Sequence, residues 1–346
     1  MLMSRLFALG AIAALAAVSV TLVPHFLANS QPVERPSEPA IAPVAIEIPS
    51  PVPMQTDRDP SQPLYAKVDR FKTTIPGYND PADIYYPQPS QLAPADRLPV
   101  ALLIQGFNVD AAYYSQFATQ IARYGFIVVV PNHLTTIRDR EELFPQVGQV
   151  TDVLRYVKAQ QHHANSPLFK ITDAEKLVLI GHSQGGFIGL DAIREACDLP
   201  WCEGPYERPK ELLAGVFFGS DLWEDGEYLK VNNAGIPIAL IAGSRDSLIR
   251  AESIEKTYNN IESPPKAYIE VRGANHYGLT DLDNPPGSPN EKSSSTLDRA
   301  VSLETIARWT AVFLRAYALD DRAALAYLGD RGPREDPNVR VRWQGN

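Results

Sequence analysis

The sequence of 346 residues predicts an α/β fold with a mostly parallel central sheet and helices on both of its faces. Two patterns carry this prediction: short apolar runs that end at Gly, Pro or polar residues, and longer segments between them with apolar residues at helical spacing. Strands that alternate with helices form βαβ units, and both faces of the resulting sheet are buried. One such domain accounts for the regular part of the chain.

The predicted strands and helices alternate from residue 65 onward. The predicted strands cover residues 65–71, 83–86, 100–104, 126–130, 176–180, 213–218, 237–242 and 267–271. The predicted helices cover residues 112–124, 147–161, 187–196, 249–259 and 301–317. The second helix illustrates the pattern, because Val150, Val153, Leu154 and Val157 fall on one helical face.

Residues 1–28 differ in composition from the rest of the chain. Arg5 is followed by an apolar run over residues 6–23 that only Ser19 and Thr21 interrupt. A short positive region before an apolar one is typical of export signals, and a run of this length also reaches the lower limit for spanning a bilayer. We therefore expect a signal peptide or an N-terminal membrane anchor, with the folded domain periplasmic, secreted or anchored outside the cytoplasm.

Three further segments are expected after this N-terminal segment. Residues 29–63 contain nine prolines and predict an extended linker. Residues 64–319 hold all the predicted strands and helices and form the α/β domain. Residues 320–346 are polar and charged, and we expect a C-terminal tail that is loosely held from residue 330 onward.

Charge and cysteine content exclude some classes of partner. The net charge of −9, without a basic cluster, argues against a nucleic acid partner. No His or Cys pair has the spacing of metal ligands and no phosphate-binding glycine-rich loop is present, so neither a metal nor a cofactor is expected. In an exported protein Cys197 and Cys202 are expected to form a local disulfide, with two free thiols as the alternative.

The strongest chemical signal is the G-x-S-x-G pattern around Ser183, which lies after a predicted strand and before a predicted helix. A serine on such a tight turn needs glycines at its sides, and the turn lifts the hydroxyl off the sheet. The helix that follows places backbone N–H groups and a positive dipole end beside this hydroxyl. Ser183 is therefore the predicted nucleophile, and a glycine-rich packing turn is the structural alternative.

A serine nucleophile needs a base and an acid that orients the base. Asp246 follows the predicted strand at residues 237–242, and His276 follows the strand at residues 267–271. The chain order Ser, Asp, His agrees with these roles. Asp221, in the segment Gly219-Ser220-Asp221 after the preceding strand, is the other acid that we consider.

Four other histidines are assigned roles outside the chemistry. His133 ends a strand that precedes the serine, and His182 occupies the variable position next to the nucleophile, where side chains usually pack behind the turn. His162 and its neighbour His163 lie at a predicted helix end, where solvent exposure and the helix dipole favour them.

Acyl transfer also needs two hydrogen-bond donors that point at the developing oxyanion. One is expected to be the backbone N–H of Gln184, directly after the nucleophile. The other is expected to be the backbone N–H of Phe107, with Gly106 allowing the loop to approach and the Phe107 side chain lining the acyl pocket. Trp223 is a second predicted substrate-binding residue, and residues 195–210, with Trp201 and Tyr206, are expected to form a partial cap.

Together these motifs resemble the α/β-hydrolase superfamily, within it the chlorophyllase-like, cutinase-like and dienelactone-hydrolase-like esterases. The resemblance covers residues 65–318, and it is carried by the segments 83–87, 105–108 and 124–129 and by the loops of the three predicted catalytic residues. In related polyester hydrolases a Pro-Gly-Tyr stretch stands at the place of residues 105–107. The resemblance implies hydrolysis of a carboxylic ester through an acyl-enzyme, without metal or cofactor.

The substrate expected from this resemblance is a small-molecule or lipid-like ester. The same three catalytic residues also serve peptidases, amidases, thioesterases and acyltransferases, so these activities remain alternatives. A protein that keeps the fold without catalysis is the alternative from a different class, and it is disfavoured because all the predicted catalytic residues are present.

Overall fold

The computed structural model describes residues 59–345 with the exception of Arg138. The predicted signal peptide or anchor at residues 1–28, and residues 29–58 of the predicted linker, lie outside this range. Among residues 59–345, none of the helices has the length and hydropathy of a membrane-spanning segment.

The central feature is a β-sheet whose strands come from nearly the whole length of the domain. Its strands are β1 (Val68–Ile75), β2 (Asp80–Pro87), β3 (Leu98–Ile104), β4 (Ile127–Pro131), β7 (Thr172–His182), β8 (Leu212–Phe218), β11 (Ile238–Gly243), β12 (Lys266–Val271) and β13 (Val339–Gln344). Two short hairpins lie outside it, formed by β5 (Leu134–Ile137) with β6 (Arg140–Leu143) and by β9 (Trp223–Glu224) with β10 (Glu227–Tyr228).

Within the described residues the sheet has nine strands in the order β1-β2-β4-β3-β7-β8-β11-β12-β13. The six strands from β4 to β12 in this order are parallel to one another. At one edge β1 and β2 are antiparallel, and at the other edge β13 is antiparallel to β12. The predicted α/β fold with a mostly parallel sheet is confirmed.

Helices cover both faces of this sheet. They are α1 (Ser115–Arg123), α2 (Gln149–Gln160), α3 (Gln184–Arg194), α4 (Ala251–Asn259), α5 (Arg299–Ala318), α6 (Arg322–Ala326) and α7 (Gly332–Glu335). The apolar side chains of α1 and α5 share one buried cluster with one sheet face, and those of α2, α3 and α4 share a second cluster with the other face. Alternate residues of β3 divide between the clusters: Ala101 and Leu103 join the first, and Val100 and Leu102 join the second.

This arrangement brings the loops with the predicted catalytic residues to one edge of the sheet. Parallel strands all end at the same edge, so the residues that follow β3, β7, β8, β11 and β12 meet there. The register agrees, because Ile104 at the end of β3 pairs with Gly181 of β7, and His182 pairs with Phe218 at the end of β8.

Each predicted strand and helix has a counterpart in the structure, although several ends differ. The first strand begins at Val68 instead of residue 65, and β7 extends over Thr172–His182 instead of residues 176–180. The start of the predicted helix at residue 112 is a 3-10 turn, Ala111–Tyr114, which α1 follows. The sequence analysis did not predict the two short hairpins.

The prediction of a loosely held C-terminal tail is wrong. Residues 322–335 form α6, a π-helical turn and α7, and β13 then pairs with β12 along its whole length. Val339 is buried in the first apolar cluster, and Val341 and Trp343 pack against it. The arginines of β13 alternate with these apolar residues and lie on the opposite, more exposed face of this edge strand.

Candidate active site

Ser183 lies at the turn between β7 and α3 and has an unusual backbone conformation. Its φ and ψ angles are 53° and −122°, a region that residues other than glycine rarely adopt and that costs on the order of 1–3 kcal/mol. The turn is tight: a Cβ atom on Gly185 would lie 2.1 Å from the carbonyl oxygen of Ile104. Such a strained strand-turn-helix is the geometry that presents a serine hydroxyl above the sheet.

Asp246 and His276 form a buried hydrogen-bonded pair at the same edge of the sheet. Asp246 Oδ2 lies 2.7 Å from His276 Nδ1, and both side chains are almost fully buried. The other oxygen, Asp246 Oδ1, accepts hydrogen bonds from the backbone N–H groups of Leu248 and Ile249. Because an ionised carboxylate can only accept, the proton of a neutral His276 is on Nδ1, and Nε2 is left as the acceptor.

The structure pairs His276 with Asp246 and not with Asp221. Asp221 follows β8 and lies beside Ser183 on the wall of a cavity, described below. The loop that leads from β8 to Asp221 packs closely on the Asp246–His276 pair. A Cβ atom on Gly219 in this loop would lie 3.1 Å from His276 Nδ1 and 3.2 Å from Asp246 Oδ2. Of the two acids considered from the sequence, Asp246 therefore has the geometry of the orienting acid.

The loop after β3, residues 105–108, packs directly on the turn of Ser183. A Cβ atom on Gly106 would lie 3.3 Å from Ser183 Cβ, which is tighter than an ordinary contact, so glycine suits this close approach of the loop to the turn. The side-chain amide of Gln105 is buried. Its nitrogen donates to the backbone oxygen of Pro131 (2.7 Å), and its oxygen accepts from the backbone N–H of His133 (2.9 Å). Gln184 begins α3, where the first backbone N–H groups have no partner within the helix. Both predicted oxyanion donors thus lie in segments that border Ser183.

A family model described as Chlorophyllase matches residues 73–193. The chain is similar to the chlorophyllases. This family belongs to the α/β-hydrolase superfamily, so the match confirms the predicted resemblance and indicates a hydrolase. The matched segment includes the loop of Phe107 and the turn of Ser183, and it ends before Asp246 and His276. A search among curated proteins found no match.

His182, in the chlorophyllase-like segment, connects the turn of Ser183 to the loop of His276. Its Nε2 lies 2.9 Å from the backbone oxygen of His276, which can only accept, so Nε2 carries a proton. Complete burial, and to a smaller extent the adjacent His276, lowers the pKa of His182 well below its ordinary value. His182 is therefore neutral, and its Nδ1 is an acceptor.

Tyr114 extends this connection to the predicted oxyanion loop. Its hydroxyl lies 2.9 Å from His182 Nδ1 and accepts a hydrogen bond from the backbone N–H of Gly106 at 2.8 Å. Since His182 Nδ1 accepts, the hydroxyl donates to it. One chain of hydrogen bonds therefore runs from Gly106 through Tyr114 and His182 to His276. The sequence analysis did not identify Tyr114.

Glu291 is a second site residue that the sequence analysis missed. Its buried carboxylate accepts hydrogen bonds from both the N–H and the hydroxyl of Ser247, next to Asp246, and from the N–H of His276 at 3.4 Å. Burial alone would raise the pKa of Glu291, but hydrogen bonds from Ser247, Ser293 and His276 outweigh it and hold the pKa below its ordinary value. An ionised Glu291 thus joins the acid loop to the base loop.

A cavity of about 390 Å³ opens beside Ser183; we call it the Ser183 cavity. It is lined by Phe107, Phe144, Ser183, Gln184, Phe187, Trp201, Ser220, Asp221, Trp223 and Ile249. Both predicted substrate-binding residues, Phe107 and Trp223, are among these residues, and Trp223 is 53% exposed. Of the predicted cap aromatics, Trp201 lines the cavity, and Tyr206 does not.

A disulfide supports the wall formed by Trp201. Cys197 and Cys202 are bonded to each other, which confirms the predicted pairing. Trp201 lies in the loop that they close, stacks on Phe144 with ring centroids 4.8 Å apart and contacts Phe187 at 5.1 Å. The disulfide is compatible with a location outside the cytoplasm.

The remaining histidines among the described residues lie away from this cavity. His133 Nδ1 lies 2.9 Å from Asp80 Oδ1, and its ring packs edge-to-face on Tyr78. His162 and His163 are exposed after the end of α2. In the described part of the chain no group of three or more His, Cys, Asp or Glu side chains is arranged to hold a metal ion.

Proposed function

We propose that this protein is a serine hydrolase that cleaves carboxylic esters through an acyl-enzyme on Ser183, with His276 as the base and Asp246 as the orienting acid. One observation carries the proposal: the buried Asp246–His276 pair and the strained turn of Ser183 lie at the same edge of the sheet. His182 joins the turn of Ser183 to the loop of His276 by a hydrogen bond. The similarity to the chlorophyllases, a family of hydrolases, supports the same reaction class.

The first half of the proposed reaction forms the acyl-enzyme. The Oγ atom of Ser183 attacks the ester carbonyl carbon while its proton moves to Nε2 of His276, and Asp246 stabilises the imidazolium. The negative charge on the carbonyl oxygen is held by the backbone N–H groups of Phe107 and Gln184. The tetrahedral intermediate then breaks its bond to the alcohol oxygen, which leaves with the proton from His276.

The second half of the reaction releases the acid. Water attacks the acyl carbon and gives its proton to His276, and the new tetrahedral intermediate expels the Ser183 oxygen, which takes the proton back. The sum is ester plus water to carboxylic acid plus alcohol, and no cofactor or metal takes part. The proposed partner is therefore a small ester, and the net charge of −9 disfavours nucleic acid.

We also propose that the enzyme acts outside the cytoplasm. The apolar run at residues 6–23 would direct export, and it would attach the protein to a membrane if it is retained. The disulfide between Cys197 and Cys202 supports an oxidising compartment.

Hydrolysis of p-nitrophenyl esters with acyl chains of increasing length by the full chain tests the proposal. We expect turnover that falls by about 10³-fold or more in Ser183→Ala and in His276→Ala. Ser90→Ala and His162→Ala, which change exposed residues, are the matched controls and should retain full activity. A folded protein without activity on any ester, but with activity on amides or thioesters, would contradict the ester assignment.

A further inference from the structure

The Ser183 cavity combines many aromatic side chains with a single acidic one. Five of its ten lining residues are aromatic, and Asp221 is the only lining residue with an ionisable carboxyl or amino group. The ring of Phe144 contacts those of Phe107 and Trp201, with centroid distances of 6.2 Å and 4.8 Å respectively. A wall of this kind is suited to a bulky apolar group, or to a cation that faces aromatic rings.

The carboxylate of Asp221 favours the cation over the neutral apolar group as the occupant of the cavity. Within the described range Asp221 has a hydrogen bond from its own backbone N–H and no cationic partner. Burial, with the nearby negative charge of Asp246, raises the pKa of Asp221 above its ordinary value. A neutral acyl chain in the cavity would remove the remaining water from Asp221 without replacing its interactions, which is unfavourable. A cationic group would instead compensate the carboxylate.

The β9–β10 hairpin, which contributes Trp223 to the cavity, carries negative charges like that of Asp221. After Asp221 and Trp223 the chain continues through Glu224, Asp225 and Glu227, without a basic residue before Lys230. Lys256, a cation that contacts this hairpin, lies over the ring of Tyr228 and does not line the cavity. The hairpin beside the cavity is therefore acidic in a protein whose net charge is −9, and it would attract a cationic substrate.

We propose that the Ser183 cavity binds a cationic, quaternary-ammonium-type group of the ester substrate, with Asp221 as its counter-ion and the aromatic wall as its cation–π partner. This proposal rests on the proposed ester hydrolysis and narrows its substrate class to esters that carry a positive charge. The bonds made and broken are those of the ester hydrolysis described above, and the cation takes no part in them.

Matched pairs of esters that differ only in charge test this proposal. On the alcohol side the pair is the choline ester and the 3,3-dimethylbutyl ester of one acid. On the acyl side it is p-nitrophenyl 4-(trimethylammonio)butanoate and p-nitrophenyl 5,5-dimethylhexanoate. In each pair a quaternary carbon replaces the charged nitrogen, so size and shape are retained. We expect kcat/KM for the full chain to favour the cationic member of at least one pair by about tenfold or more.

The variant Asp221→Asn should reduce this cationic-to-neutral ratio to about threefold or less, since only cation–π contacts then remain. The ratio is the readout because a general loss of activity affects both members of a pair. Glu262→Gln removes the same charge from an exposed residue that does not line the cavity, and it should leave the ratio unchanged.

Two outcomes would overturn the proposal without affecting ester hydrolysis. One is hydrolysis of the neutral members that depends on Ser183 but shows no preference for the cationic members. The other is a preference that is fully retained in Asp221→Asn. If no ester in either pair is hydrolysed in a Ser183-dependent way, the proposed function itself fails, and the cationic substrate class fails with it.

Discussion

His182 donates a hydrogen bond to the backbone oxygen of His276, 2.9 Å away, and so fixes the loop of the proposed base to the turn of the proposed nucleophile. His182 is 94 residues distant from His276 in the chain, so the contact depends on the complete sheet. Because Tyr114 holds the other side of the His182 ring, this network supports both the base and the oxyanion loop. We therefore regard His182 and Tyr114 as positioning residues.

The variant Tyr114→Phe tests this positioning role. Loss of the hydroxyl leaves the Gly106 N–H and His182 Nδ1 without their partner, so we expect a loss of about 1–3 kcal/mol in the free energy of unfolding. We also expect kcat for a p-nitrophenyl ester to fall by about tenfold with little change in KM, since the oxyanion donor acts mainly in the transition state.

Tyr124→Phe is the matched control for this variant. It removes another buried hydroxyl hydrogen bond, from Tyr124 to the Ser61 carbonyl at 2.7 Å, away from the Ser183 cavity. This control should lower stability and leave kcat unchanged. Equal effects of Tyr114→Phe and Tyr124→Phe on kcat would refute the positioning role.

The variant Glu291→Gln tests the connection between the acid and base loops. An amide retains only one oxygen for the donors on Ser247, Ser293 and His276, so we expect kcat to fall by about tenfold and stability by about 1–3 kcal/mol. Asp336→Asn alters a buried carboxylate that binds Trp309 and Arg308 instead. It should destabilise the fold without a specific loss of kcat.

The stability effect of Glu291→Gln should depend on pH. The pKa of Glu291 is lowered by folding, so the carboxylate stabilises the native state fully above the ordinary glutamate pKa of 4.5. This contribution is lost as the pH falls through the lower, folded-state pKa. Urea unfolding of both proteins should thus give a stability difference that is largest at neutral pH and smaller in acid. A difference that grows in acid would contradict the assignment.

The sequence identifies the proposed catalytic residues because each lies in the loop that follows a strand. Ser183, Asp246 and His276 come after β7, β11 and β12, and the rule that parallel strands end at one edge predicts that they meet. Glu291 and Tyr114 have no such local pattern. Glu291 lies 44 residues after its partner Ser247, and Tyr114 lies 68 residues before His182, so only the folded chain reveals these pairs.

The wrong prediction for the C-terminal segment has a different cause. The segment Val339–Gln344 alternates apolar and polar residues, which is the pattern of a strand with one solvated face. Its two arginines, Arg340 and Arg342, made the composition resemble a solvated tail. Both are edge-strand charges, of the kind that keeps a sheet from pairing with other chains.

The variant Trp201→Ala tests the wall of the Ser183 cavity. It removes the ring that stacks on Phe144 and contacts Phe187, so the cavity becomes larger and less defined. We expect KM for esters with bulky acyl groups to rise by about fivefold or more, with a smaller change for acetyl esters. Trp343→Ala, on the outer strand β13, should lower stability without altering this selectivity. An unchanged acyl-length profile in Trp201→Ala would exclude Trp201 from the acyl-binding wall.

Removal of strand β13 by truncation after Asn338 tests the role of the C-terminal segment. The truncation exposes the edge of β12, whose residues pair with β13 from Lys266 to Val271, and it removes the packing of Val339, Val341 and Trp343. Burial of these side chains contributes about 3–5 kcal/mol, so we expect the melting temperature to fall by about 5–15 °C.

The exposed edge should also promote association, which size-exclusion chromatography would detect as higher oligomers. Because His276 follows β12 by five residues, ester hydrolysis should decline at temperatures where the full chain is still active. A truncated chain that stays monomeric with an unchanged melting temperature would mean that β13 is dispensable for the fold.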